Sequence, residues 1–145
     1  MKLEAQVVSL DLAKKLKALN VKQESTFYWV LDFVIQNWAG KSDFTGKMED
    51  RPAKKRWTLA MAKGEHEEIY SAFTVAELGV ILPEMFYSGK VLRDGEIKWW
   101  GRWKNYTTAS MENTEADARA QMLIYLLENK LINPEKDGGG NEKES

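Results

Sequence analysis

The chain has no cysteine and a single histidine among its 145 residues. Without cysteine there is no disulfide framework, no thiolate zinc site and no cysteine nucleophile, and such a chain suits a reducing compartment. No apolar run approaches the roughly 20 residues that span a bilayer. The first residues, Met1 to Gln6, are polar and lack the apolar stretch of a signal peptide. A cytoplasmic location without membrane contact is the expectation. Excess charge is missing too. The formal net charge is −1, so no overall field draws the chain to nucleic acid or anionic lipid. A phosphate-cradling glycine loop is also absent, because Gly138-Gly139-Gly140 opens no helix.

What is present describes a folded domain. Hydrophobic residues make up 43% and charged residues 30%, with six tryptophans. That composition and length suit one globular domain, expected over residues 1–133. The segment 134–145, rich in Gly and Glu, has nothing to bury and is expected to be a disordered tail.

Periodicity supplies the elements. Leu12, Leu16 and Leu19 form a helical stripe, with Ser9 as cap and Asn20 suited to a left-handed end. Thr26 to Ile35, rich in aromatic and β-branched residues on both faces, reads as a central, covered strand. A long loop follows from Ala39 to Lys54, then a strand from Lys55 to Ala62 with Trp57, Leu59 and Met61 inward. Thr74-Val75-Ala76-Glu77 is a capping box, and Pro83 stops its helix at Leu82. Asp94-Gly95 marks a hairpin, and Lys104-Asn105 a second turn. Thr114 caps a last helix running to Leu131. These elements predict an α+β fold, with three helices packed on an antiparallel or mixed sheet of four to five strands.

Chemistry is harder to find. His66 lies among Glu65, Glu67 and Glu68. Three carboxylates beside an imidazole are metal-ligand types, but consecutive residues of a turn rarely converge on one ion. The reading is a solvated acidic turn, with no metal or cofactor. Ser25, Ser71, Ser88 and Ser110 have no adjacent base, so no catalytic residue is assigned. Asp32 interrupts an apolar strand. Either it is a buried general base, or it sits at a bulge or strand end, and the rarity of unpaired buried charge favours the second.

The segment Ile97 to Tyr106 carries the best candidate surface. On a strand, Ile97, Trp99 and Trp103 share the inward face, while Lys98, Trp100, Arg102 and Lys104 present an aromatic plate among cations. Such a face suits single-stranded nucleic acid, a sugar or a protein partner. From Lys90 to Tyr106 there are five cations and two acids, and Arg51, Lys54, Lys55 and Arg56 form a second basic stretch. The two make one face only if their strands are neighbours. Read structurally, the lysines guard a sheet edge and Trp100 lies under another element. The last helix, broadened by Ile124 and Tyr125, offers a weak homodimer face on an otherwise monomeric chain.

Three stretches resemble a group of small uncharacterised bacterial proteins found in prophages and other mobile elements. They are Val8 to Leu19, continuing to Trp29; Ala72 to Gly79, ending at Pro83; and Thr114 to Asn129. The resemblance implies a bacterial cytoplasm and an accessory role, and transfers no site residue. The expected function is a non-catalytic domain binding a protein partner. The alternatives are single-stranded nucleic-acid binding through the Trp100 strand and an enzyme using carboxylates such as Asp32.

Overall fold

The computed structural model describes residues 2–35, 53–108 and 111–133. The tail 134–145, most of the expected loop and Arg51 lie outside the described residues. After a short 3-10 turn at Leu3–Ala5 the order is α1 (Leu10–Ala18), β1 (Phe27–Ile35), β2 (Ala53–Ala60), β3 (Glu68–Ala72), α2 (Val75–Ile81), β4 (Phe86–Arg93), β5 (Glu96–Trp103), β6 (Tyr106–Thr107) and α3 (Glu115–Glu128).

The class is α+β, but the strands divide into two antiparallel sheets of three, β2-β1-β3 and β4-β5-β6. The single sheet of four to five strands expected from sequence is corrected on this point. β1 is paired along both edges, from Phe27 to Leu31 by β3 and from Tyr28 to Ile35 by β2, so a fourth strand finds little backbone on it. β4, β5 and β6 are joined by tight turns and satisfy one another instead. Asp94 and Gly95 adopt φ of 52° and 82°, the left-handed geometry a two-residue hairpin turn requires. Lys104, at φ 55°, makes the next turn.

Sequence reading missed β3. Only Ile69 and Tyr70 favour a strand there, and the acidic run before them reads as a turn. Met61 is a second correction: it lies beyond the end of β2 and is 73% exposed, not inward.

The core gathers around α3. Ala116, Ala118, Ala120, Met122, Leu123, Ile124, Leu126 and Leu127 are all buried, a set that runs round the helix instead of forming one stripe. Helix α1 adds Leu12, Ala13 and Leu16, and Val8, Val21, Phe73, Leu78, Leu82 and Trp103 complete the cluster. This burial corrects the dimer-face expectation in part: Ile124 is 4% exposed, and only Tyr125 reaches the surface.

Two acidic side chains tie elements together. The capping box is present as read, with Thr74 Oγ1 accepting from the Glu77 amide and Glu77 from the Thr74 amide. The second oxygen of Glu77 accepts from the amide and hydroxyl of Thr26, at 2.8 and 2.9 Å, anchoring the start of β1. Asp117, in the first turn of α3, accepts the Ser9 amide at 2.7 Å and so satisfies the N-terminus of α1, whose cap makes no side-chain hydrogen bond of its own.

Burial pushes the Asp117 carboxyl above the usual aspartate range; the Ser9 hydrogen bond opposes the shift and the nearby Glu112 charge adds to it. A raised native pKa means the folded state binds the proton more tightly than the unfolded one. Stability from this group therefore falls as pH rises from about 4, the ordinary aspartate value, through the native pKa. Asp117→Asn keeps an oxygen for Ser9 without the charge. Its stability relative to the parent is expected to improve between pH 4 and pH 7, measured by urea unfolding at each pH. A constant difference would mean that the carboxylate is not held in a costly site.

Candidate functional site

The hairpin of β4 and β5 carries a long run of exposed residues around its turn. Opposite residues of an antiparallel pair share a face. One face therefore carries Phe86, Ser88, Lys90 and Leu92 against Trp103, Gly101, Trp99 and Ile97. The other carries Tyr87, Gly89 and Val91 against Arg102, Trp100 and Lys98.

The near half of the first face is docked on α3. Ser88 Oγ donates to Glu115 at 2.7 Å, Trp103 Nε1 donates to the Glu84 carbonyl at 3.1 Å, and Gly101 is buried. The far half is not docked. Every residue from Val91 to Ile97 is exposed, with the cross-strand pair Leu92 and Ile97 at 70% and 53%. Ile97 thus does not enter the core, correcting the inward assignment, because the hairpin outruns the helix beneath it.

On the outer face the Trp100 ring lies across Gly89. A Cβ at Gly89 would come within 2.4 to 3.0 Å of three ring atoms, so glycine is what lets the indole lie flat. Tyr87, 51% exposed, meets the same ring edge-on at a centroid distance of 5.9 Å. Gly89→Ala is expected to lift the Trp100 ring from the strand. The Trp100 indole N–H resonance should move while those of Trp29 and Trp103 stay. An unmoved Trp100 resonance would refute this contact.

The cations expected beside Trp100 have separate environments. Lys98 Nζ is 2.5 Å from Asn113 Oδ1 and 3.1 Å from Glu96 Oε1. Arg102 stands on the Trp100 face, exposed, directly opposite Tyr87. Lys104 does not share that face: it occupies the turn, and its Nζ sits 4.4 Å from the Trp103 ring centroid. In the second basic stretch, Lys55 pairs with Glu67 at 2.9 Å, which raises the lysine pKa, and Arg56 stands opposite Asp32. The backbone of Lys54 pairs with Val34 in the same ladder. This stretch belongs to β2, in the other sheet from β5, so the two basic sets are not on neighbouring strands.

His66 and Asp32 also stand differently from expectation. Asp32 sits in the regular β1 ladder, not at a bulge or strand end, and its two oxygens lie 2.8 and 2.9 Å from His66 Nδ1. The His66 side chain is only 18% exposed, so the turn is not simply solvated. A carboxylate only accepts, so Nδ1 carries the proton toward Asp32. Sequence held both residues but no sign of their pairing, because 34 positions separate them. Among the described residues no third ligand type joins them as a metal cluster.

The fold and this surface define an α+β domain with a projecting two-stranded arm. No protein-family model matches the chain, and comparison with curated proteins and with solved structures finds no match. Function therefore has to be argued from the site.

Proposed function

We propose that this chain is a non-catalytic accessory domain, related to phage or mobile-element proteins, that binds a protein partner through the β4–β5 arm. The observation that carries this reading is the exposed apolar side chains on both faces of the arm's far half. Leu92 and Ile97 lie on one face and Val91 on the other, where exposed Tyr87 and half-buried Trp100 continue the apolar surface toward the near half. Scattered exposed apolar residues are ordinary, but a group on a projecting element marks an interaction surface. Tyr87, Trp100 and Arg102 are also the residue types that dominate interface energetics.

Single-stranded nucleic acid is the second reading, favoured by the open Tyr87–Trp100–Arg102 face. It is the weaker one. Lys98 is occupied by Glu96 and Asn113, and Lys104 by the Trp103 ring, which leaves few cations to follow a phosphate backbone.

A photo-reactive phenylalanine analogue at Leu92, in the full chain in bacterial cells, tests the first reading. The expected result is a discrete protein adduct that is absent when the analogue replaces exposed Asp11 on α1. No adduct at Leu92, or the same adduct at both positions, would overturn it. A titration with a short oligonucleotide at physiological salt is expected to leave the Trp100 indole resonance in place. A salt-sensitive shift there would move the nucleic-acid reading ahead.

A further inference from the structure

On the other side of β5 from the Trp100 plate lies a cavity of about 330 Å³, with Phe27 and Trp99 as its aromatic walls. That volume falls at the small end of small-molecule sites, roughly 300–1,000 Å³. Its walls come from the N-terminal turn, the start of β1, the first turns of α2 and α3, and β5. Backbone bridges hold these parts together: Val7 pairs with Thr74, Trp99 exchanges both backbone hydrogen bonds with Glu112 at 2.7 and 2.8 Å, and the Val8 amide donates to Phe73 at 2.9 Å.

The polar lining groups are fixed before any ligand arrives. Thr74 and Thr114 accept from the amides of Glu77 and Asp117, each at 3.2 Å, and each hydroxyl keeps its own hydrogen to donate. Glu115 is committed to Ser88 at 2.7 Å and to Arg119 at 3.1 Å. Asn113 gives its carbonyl oxygen to Lys98 and so keeps its amide hydrogens outward from that bond. Such prior engagement holds a site rigid. Two aromatic walls, Phe27 and Trp99, stand among aliphatic ones. A negative charge would meet the Glu115 carboxylate, while Thr74, Thr114 and Asn113 offer donors and the Gln6 amide carries a donor and an acceptor.

From this arrangement the geometry points to a binding site for an uncharged, flat aromatic molecule that carries a hydrogen-bond acceptor. The ring lies between the apolar walls, and the acceptor edge takes a hydrogen bond from the threonine or asparagine donors. The site shares Trp99 of β5 with the arm, but Leu92 and Trp100 take no part in it.

The test uses amide and indole NMR of the full chain with three probes: benzamide, benzoate and cyclohexanecarboxamide. Benzamide is expected to produce saturable shifts at Val75, Ala76 and the Trp99 indole, with a dissociation constant below about 5 mM. Benzoate should bind about tenfold more weakly, equivalent to about 1.4 kcal/mol, and cyclohexanecarboxamide should also bind more weakly. Ala76→Phe, at an exposed helical position, fills the cavity and should abolish the shifts while the remaining spectrum stays native. Ala5→Leu serves as a second filling variant should the first unfold. The proposal fails if benzamide gives no saturable shift, if benzoate binds equally well, or if benzamide binds unchanged to a folded filled variant.

Discussion

Phe73→Ala is expected to lower the free energy of unfolding by about 4 kcal/mol, the usual cost of emptying a fully buried phenylalanine site. Phe73 is 1% exposed and heads the fully buried side chains by volume. It occupies the single residue between β3 and the cap of α2, where its backbone carbonyl also receives the Val8 amide. The ring therefore fills space that α1, α2 and α3 all border, and none of them can move inward without breaking its own contacts. A total stability of 5–15 kcal/mol makes this a loss of a quarter or more. Urea unfolding followed by tryptophan fluorescence measures it. Val80→Ala, at a residue 73% exposed on α2, is the control and should change stability by less than about 0.5 kcal/mol. Equal effects at the two sites would show that the core is not centred on Phe73.

Gly101→Val is expected to be nearly as damaging, at about 3 kcal/mol, for the opposite reason. A Cβ at this position would lie 3.0 and 3.2 Å from two atoms of the Phe86 ring and 3.3 Å from the Ala118 carbonyl oxygen of α3. The carbonyl belongs to the backbone of the central helix and cannot rotate away. The two extra methyl groups of valine would therefore push β5 off α3 and strain the Ser88–Glu115 hydrogen bond. Hydrogen exchange should then accelerate in β4 and β5 while β1 and β3 stay protected. Uniform acceleration across both sheets would instead mean that the domain opens only as a whole.

The contrast between these two sites reflects what local sequence carries. Alternation and helical spacing showed all three helices, β1 and most of the hairpin, because each side chain's preference is decided by neighbours within a turn or two. The Thr74–Glu77 capping box, the Asp94–Gly95 turn, the left-handed Asn20 and the Thr114 cap are of this kind. So was the placement of Lys98, Trp100 and Arg102 along one side of a strand.

The features that sequence could not show depend on distant partners. β3 has too few strand-favouring residues to stand out and exists because β1 offers it an edge. Asp32 and His66 meet only when the turn after β2 folds back toward β1. Lys104 left the Trp100 face because a positive-φ turn carried it to the Trp103 ring, and the two basic stretches parted because their strands joined different sheets. The cavity behind Trp99 is likewise invisible in any single segment, since five separate parts of the chain form its walls.

By itself, then, the sequence determined the helices, the main strands, their caps and turns, since these follow from side-chain shape and hydrogen bonding over a few residues. Tertiary structure alone decided the division into two sheets, the exposed far half of the arm and the cavity beside α3. Those depend on which surfaces meet across long stretches of chain, and the free energy of such meetings belongs to pairs of surfaces that no local pattern names.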